Sequence, residues 1–549
     1  MALVTNSGFL DAIACDGMRK NLAEDFDAIY VLDLGGNVRK NPKLSGTTHN
    51  VFGIQVGVSI NLFVRNRTGT KPAKPAIYYA AVPTDWRREE KYRFLEDKES
   101  ARNIEWKQIQ PDTKHTWLRE GLEDDFETFM PLGTKLAKQM DVGGEGAVFK
   151  TYSLGVSTNR DSVVYDFNRE ALAERVERFC DDYNAELARY DSKGKPENRD
   201  EFLSYEKVKW SRNLKRAVKQ GIKLQFEGEQ IRCASYRPFA KEFLYFAETV
   251  VDEEGTVRSF YPTERQAQEN VTLCATGSGS EKPFMSLVTK GITDLHFVGP
   301  GAGTVCFPFY TYAEDGSERR ENITDWALQE FQTRYGDPNI SKWDIFHYVY
   351  AVLHHPQYRE RYAANLRREL SRIPFVAAEV TRLTLKRGAK AAAEDGASSR
   401  RLLRDAEVFH AFAAAGKKLA ELHVGYEQQP VYALRRRENL QSPLNWRVEK
   451  MRLSKDKTSL TYNDFLTLDG IPPETFDYRL GNRSALEWVI DQYQVSTDKR
   501  SGITNDPNRP DDPEYIVRLL GQVITVSLET EKIVKRLPPL ANWRTHGES

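Results

Sequence analysis

The chain has 549 residues, of which 40% are hydrophobic and 29% charged, with 79 basic and 79 acidic side chains and no net charge. That is a globular composition with room for three or four domains, not a disordered or collagen-like one. No apolar run approaches the roughly 18 residues needed to cross a bilayer and no signal-peptide pattern opens the chain; five scattered cysteines without metal-ligand spacing predict free thiols in a reducing, cytoplasmic setting.

Met1 to Asn6 is a short apolar run. Phe9 to Phe26 has helical spacing, with Phe9, Leu10, Ile13, Met18, Leu22 and Phe26 apolar. Ala28 to Leu34 and Val56 to Val64 read as buried parallel strands. Such strands need cover on both faces, which a segment of about 60 residues does not supply. The expectation is therefore the trailing part of a layered α/β sheet, completed upstream or by another polypeptide. A basic loop at Arg65 to Pro75 leads to a strand at Ala76 to Val82 and a charged helix at Trp86 to Lys98. Residues 113–146 read as a linker ending in the hinge Gly143-Gly144-Glu145-Gly146. It separates residues 1–112 from a strand-rich part at 147–320 and a helical part at 321–549.

In the strand-rich part, Ala147 to Phe167 predicts two strands flanking a turn that carries Ser157 to Asp161. Arg169 to Arg189 predicts a long amphipathic helix, and Trp210 to Lys219 a short basic one with Ser211 as N-cap. Leu224 to Glu229 and Ile231 to Tyr236 read as a hairpin. From Asn322 helical spacing dominates, through Lys342 to Leu353, Ala406 to Val424 and Asp512 to Leu537.

Three basic clusters stand out. Lys207, Lys209, Arg212, Lys215, Arg216 and Lys219 set six positive charges against Glu206 alone, and the last four share one helical face. That spacing suits a phosphate track, or a solvated surface helix. Arg435, Arg436 and Arg437, with Arg447, Lys450, Arg452, Lys455 and Lys457, form a second cluster that reads equally as a solubilising helix or loop. The third, from Arg359 to Arg387, is explained as simply by salt bridges to Glu360 and Glu369. Asn159 and Arg160 fall at the expected turn tip; Arg can pair with guanine and Asn with adenine, but a turn Asn beside a surface Arg is also ordinary. His354 and His355 precede Pro356 at a helix end with no ligand at metal spacing, so a capping or packing role explains them. Asp85 followed by Glu105-Trp106-Lys107 matches a nuclease pattern only superficially.

Thr5 to Leu10, Met18 to Leu22, Ile29 to Gly35, Asn50 to Phe52 and Val58 to Val64 together resemble the late part of adenine-N6 DNA methyltransferases. That family works through a Gly-rich turn for S-adenosylmethionine and an Asn/Asp-Pro-Pro-aromatic motif. The two Pro-Pro pairs, Pro472-Pro473 and Pro538-Pro539, lack the flanking residues. The clusters Gly277-Ser278-Gly279 and Gly299 to Gly303 are not placed between a buried strand and a helix. Phe149 to Asp161, Ser235 to Phe239, Phe307 to Tyr310, Val352 to Arg359, Arg372 to Phe375, Gly481 to Trp488 and Asn505 to Asn508, in that order, resemble the specificity region of Type ISP restriction-modification enzymes. The resemblance runs from Leu3 to about Leu537, with an insertion near Thr384 to Arg401. It implies a Rossmann-like methyltransferase remnant followed by a mixed α+β target-recognition region with a helical C-terminal half. It implies a truncated chain whose partner is duplex DNA, with no catalytic residue, metal or cofactor of its own; S-adenosylmethionine belongs to the intact enzyme. DNA contacts are then expected at Lys150, Asn159, Arg160, Lys207, Lys209, Arg212, Lys215, Arg216, Arg237, Arg435, Arg436 and Arg437. The alternatives are a methyltransferase subunit completed in trans by a separate polypeptide, and a remnant that only makes protein contacts.

Overall fold

The computed structural model describes residues 1–37, 48–66, 75–139, 146–253, 255–280, 282–299, 301–377 and 394–540, the side chains of 394–402 excepted. It forms two compact units, one of Met1–Glu123 with Arg367–Glu369, the other of Asp124–Leu366 with Leu370–Ser549. The division falls inside the stretch read as a linker, and the second unit is not divided near residue 320. Gly143 to Glu145, most of Arg65 to Pro75 and the start of the Ala/Lys/Arg-rich insertion lie outside the described residues.

The first unit is built on five strands: β1 (Ala2–Asn6), β2 (Ala28–Asp33), β3 (Val58–Val64), β4 (Ala76–Ala81) and β5 (Lys107–Ile109). Their order is β1-β3-β2-β4-β5. Only β2 and β4 run parallel; β1 with β3, β3 with β2 and β4 with β5 are antiparallel. This corrects the expectation of parallel strands: an apolar run reports burial on both faces and is silent on strand direction. Both faces are covered within the unit. Phe9, Leu10, Ile29, Val31, Phe63, Ile77 and Trp117 pack on one side. Leu32, Leu34, Val51, Val58 and Val82 pack on the other, beneath Phe94 and Leu95 of α2 (Arg88–Lys98). The single helix expected over Phe9 to Phe26 is two 3-10 turns followed by α1 (Asp16–Asp25). Met18, read as apolar-facing, is half exposed, while Arg19 is buried. The Arg19 guanidinium donates to the carbonyls of Phe9 (2.7 Å) and Ala12 (2.8 Å), backbone oxygens that a continuous helix would have used, and to that of His115 (2.7 Å).

The second unit carries three four-stranded sheets. The first joins β7 (Tyr165–Asp166), β8 (Ile231–Arg237), β9 (Ala240–Tyr245) and β12 (Ile292–Thr293) in the order β12-β8-β9-β7. The second joins β6 (Ser153–Leu154), β10 (Val271–Thr276), β11 (Ser286–Lys290) and β13 (Thr304–Pro308) in the order β11-β10-β13-β6. The third joins β14 (Arg435–Glu438), β15 (Arg452–Leu453), β16 (Ser459–Thr461) and β17 (Leu466–Asp469) in the order β14-β17-β16-β15. The third sheet lies in the part expected to be helical, and it places Arg435, Arg436 and Arg437 on a strand rather than a helix or loop. The expected hairpin is also different: β8 pairs with β9 through a turn in which Phe239 takes φ 58°. Leu224 is held instead by the side chain of Asn184, which donates to its carbonyl (2.7 Å) and accepts from its N–H (3.0 Å), so that backbone needs no ladder.

The longer helices of this unit include α3 (Arg169–Ser192), α4 (Arg212–Gln220), α5 (Lys342–His354), α6 (Glu394–Val424) and α7 (Tyr515–Val534). One core gathers Leu172, Val176 and Tyr183 of α3 with Leu519, Leu520 and Val523 of α7. A second surrounds α5, which is buried continuously from Tyr348 to His354, as expected of a helix apolar all round. Gly416 lets α6 approach α5: a Cβ there would stand 1.8 Å from the carbonyl oxygen of His347. Among the described residues no helix is long and apolar enough to cross a membrane.

Candidate nucleic-acid interface

Helix α4 ends on Gly221, whose φ of 72° gives the left-handed stop a glycine provides. Leu214, Ala217 and Val218 face the core, so 3.6-residue periodicity turns Arg212, Arg216 and Lys219 outward together. Lys215 lies half-buried between the two faces. Two concavities open along this helix, about 440 and 510 Å³, and both are lined by Arg199, Asp200 and Lys219. The first adds Arg212, Lys215 and Arg216, the second Glu197 and Lys195, the latter paired with Asp191 at 3.5 Å. Asp200 is bound to Lys215 at 3.2 Å, Arg212 pairs with Glu253, and Lys207 pairs with Asp182 at 3.0 Å. Lys209, Arg216 and Lys219 are exposed and make no ion pair among the described residues. Arg216 and Lys219 therefore present uncompensated positive charge along the groove, the arrangement that exchanges counterions for phosphates. Lys195 and Arg199 were missed in the sequence because they stand outside the helix whose spacing gave the signal.

The turn at Ser157 to Asp161 is present, but its two candidates part company. Asn159 is exposed at φ 56°, its side-chain amide donating to Asp252 at 2.5 Å. Arg160 is buried, with 1% of its surface exposed. Its guanidinium donates to the carbonyl of Val250 and to Ser211 Oγ at 2.6 Å, and it lies over the Phe179 ring. Burial pulls its pKa down to about 10, against the pull of Asp252. Arg160 is thus corrected from a base-reading tip to an internal strut. Ser211, the expected N-cap of α4, makes no capping bond; its oxygen accepts from Arg160. A concavity of about 310 Å³ opens here, lined among others by Asn159, Lys209, His296 and Asp498.

Arg237 is also internal, at 7% exposed. It donates to Asp294 at 2.6 Å and stacks on Tyr236 at 3.8 Å. Burial alone would lower its pKa, but Tyr236 and Asp294 outweigh it and hold the guanidinium charged. Asp294 accepts further from the His296 N–H (2.8 Å) and Tyr165 Oη (3.2 Å), so this pair organises the sheet and is unavailable to a ligand. Lys150 is half-buried. Arg435, Arg436 and Arg437 are exposed; Arg435 and Arg437 share Asp469, and Arg436 pairs with Glu514 at 2.8 Å. In the third basic cluster, Arg361 pairs with Asp125 at 2.7 Å.

Among the described residues no Gly-rich turn leads from a strand into a helix N-terminus; Gly277 to Gly279 lie in the connection between the antiparallel strands β10 and β11.

A mixed α+β unit with a cationic groove beside a rigid polar turn is a surface suited to a polyanion. The model of the Type ISP C-terminal specificity domain matches residues 147–519, and the chain belongs to that family. The chain is similar to a nuclease-deletion mutant of the Type ISP restriction-modification enzyme LlaGI in complex with a DNA substrate mimic, at 29% identity and TM-score 0.79, covering 99% of this chain and 46% of that one. It is similar to the chain of a DrdV–DNA complex at 33% identity and TM-score 0.79, covering 98% and 50%. It is also similar to the ATP-dependent Type ISP restriction-modification enzyme LlaBIII bound to DNA, at 28% identity and TM-score 0.81, covering 98% and 32%. The chain thus spans half or less of the length of these structures. No curated protein matches it.

Proposed function

We propose that this chain reads a short sequence in duplex DNA as the specificity part of a Type ISP restriction-modification enzyme that methylates adenine. The observation that carries the reading is the groove along α4, where Arg216 and Lys219 are exposed without an acidic partner. The similar structures hold DNA or its mimic, which supports the same partner. Phosphates run along α4, and Asn159 with Lys209 faces the bases. Selection from a random duplex pool tests this. A sequence that survives competitor DNA, with log K falling linearly in log salt, is expected; no surviving sequence would leave the protein-interaction remnant as the better account.

In the same reading the first unit is the trailing part of a Rossmann-like methyltransferase sheet, supported by its order β1-β3-β2 with an antiparallel β3. S-adenosylmethionine and the flipped adenine would be held by residues other than these. The free thiols of all five cysteines support a cytoplasmic setting.

One observation favours a second reading, completion in trans by a separate polypeptide. Among the described residues strand β1 pairs on one side only, with β3, and Leu3 and Val4 are about half exposed. An open apolar edge accepts another strand. Mixing the chain with a polypeptide carrying the Gly-rich turn and the Asn-Pro-Pro-aromatic motif should give a complex that Val4→Lys abolishes.

A further inference from the structure

The loop between β14 and β15 exposes two leucines where a soluble surface has no use for them. Leu440 is 89% exposed and Leu444 68% exposed. Scattered surface leucines are ordinary; these two stand within five residues of each other on one braced loop. The loop is clamped at both ends. Asn439 donates to Ser442 Oγ (3.1 Å) and to the Asp464 carbonyl (3.3 Å). Asn463 donates to the carbonyls of Asn445 and Arg447, both at 2.8 Å. Pro443 stiffens the crest, and Trp446 anchors its base through Phe465 and the Tyr462 hydroxyl, which donates to the Trp446 carbonyl at 2.8 Å. The leucines are therefore presented on a fixed support.

The surroundings decide the occupant. From Arg435 to Lys457 the chain carries Arg435, Arg436, Arg437, Arg447, Lys450, Arg452, Lys455 and Lys457 against Glu438, Glu449 and Asp456. Arg435 and Arg437 share one carboxylate, that of Asp469. Lys450, Arg452 and Lys455 are exposed with no ion pair among the described residues. An apolar tip in a cationic collar matches a polyanion with apolar slots, and stacked bases between phosphate rails are such a target.

We propose that Leu440 and Leu444 form a wedge that enters duplex DNA at a base step and kinks it, while Arg435, Arg437 and Lys450 hold the flanking phosphates. This rests on the DNA-reading function proposed above. The wedge makes specificity depend on how easily a step unstacks, in addition to any hydrogen bonding at Asn159.

The test uses the full chain with a duplex selected on it, dyes at both DNA ends and 2-aminopurine scanned through the site. The wild type should shorten the dye separation and brighten 2-aminopurine at one step. Leu440→Ala/Leu444→Ala should bind about tenfold more weakly with an unchanged salt slope, and lose both signals. Leu440→Met should keep them. Straight DNA with the wild type, or undiminished signals with the double variant, would overturn the wedge while leaving DNA reading intact. No duplex binding by the wild type would remove DNA reading and the wedge together. A double variant that changes only the sedimentation behaviour of the free protein would assign the loop to a protein contact and overturn the wedge as well.

Discussion

Arg160 and Arg237 lie inside the second unit, and Arg216 and Arg437 on its surface, yet local sequence gives all four the same character of a cation near a turn, strand or short helix. The buried pair must replace its lost hydration. Arg237 does so with Asp294 and the Tyr236 face, and Arg160 with a backbone carbonyl, a hydroxyl and an aromatic ring. The surface arginines keep their hydration, so their neighbours are optional: Arg216 has no ion pair among the described residues, and Arg437 shares an aspartate. A buried guanidinium is a structural member whose loss costs folding; an exposed one costs binding.

The sharpest way to break this comparison is Asp294→Ala. It strands the Arg237 charge in a site with almost no water access and should cost about 3–5 kcal/mol of unfolding free energy, read by urea denaturation. An effect below about 1 kcal/mol would mean that the pair is solvated. Arg160→Ala comes next, with an expected loss of about 2–3 kcal/mol, because Ser211 and the Val250 carbonyl lose their donor. Its DNA preference should stay as in the wild type wherever the variant remains folded.

A smaller effect concerns Glu242, wholly buried in the same sheet, whose carboxyl burial pushes up to about 8 despite the hydrogen bond from Asn505 at 3.0 Å. A carboxyl with a raised folded pKa keeps its proton where the unfolded chain has lost it. Stability therefore falls as pH rises between the ordinary carboxylate value and about 8. Neutral buried His423, held down to about 3 by burial, works in the opposite direction, but only below its ordinary pKa. From pH 6.5 to 8 the decline due to Glu242 should be about 2 kcal/mol, and Glu242→Gln should remove it in thermal melts across that range.

The least structural effect belongs to Arg216→Ala. Stability should stay within about 0.5 kcal/mol, while affinity for every duplex falls together and the salt slope drops by about 1. A change of sequence preference instead would move Arg216 from the phosphates to the bases.

Several elements were legible before the structure. The periods of Arg169 to Arg189 and Trp210 to Lys219 predicted helices where α3 and α4 lie, because each follows from side-chain spacing alone. The ordered motifs from Phe149 to Asn508 gave the family. Less legible were features set by partners remote in sequence. Arg19 is buried because the carbonyl of His115, 96 residues along the chain, closes on it beside those of Phe9 and Ala12. The strand carrying Arg435 to Arg437 exists because it can pair with Leu466 to Asp469.

The amino-acid sequence by itself determined which segments are apolar, which helices are amphipathic and where cations gather along the chain, since these depend on neighbours within a few residues. Only the tertiary structure decided which of those cations face water. The burial of the Arg237 guanidinium depends on an acceptor brought from far along the chain, Asp294 at a separation of 57, and desolvation penalises a buried guanidinium left without such a partner.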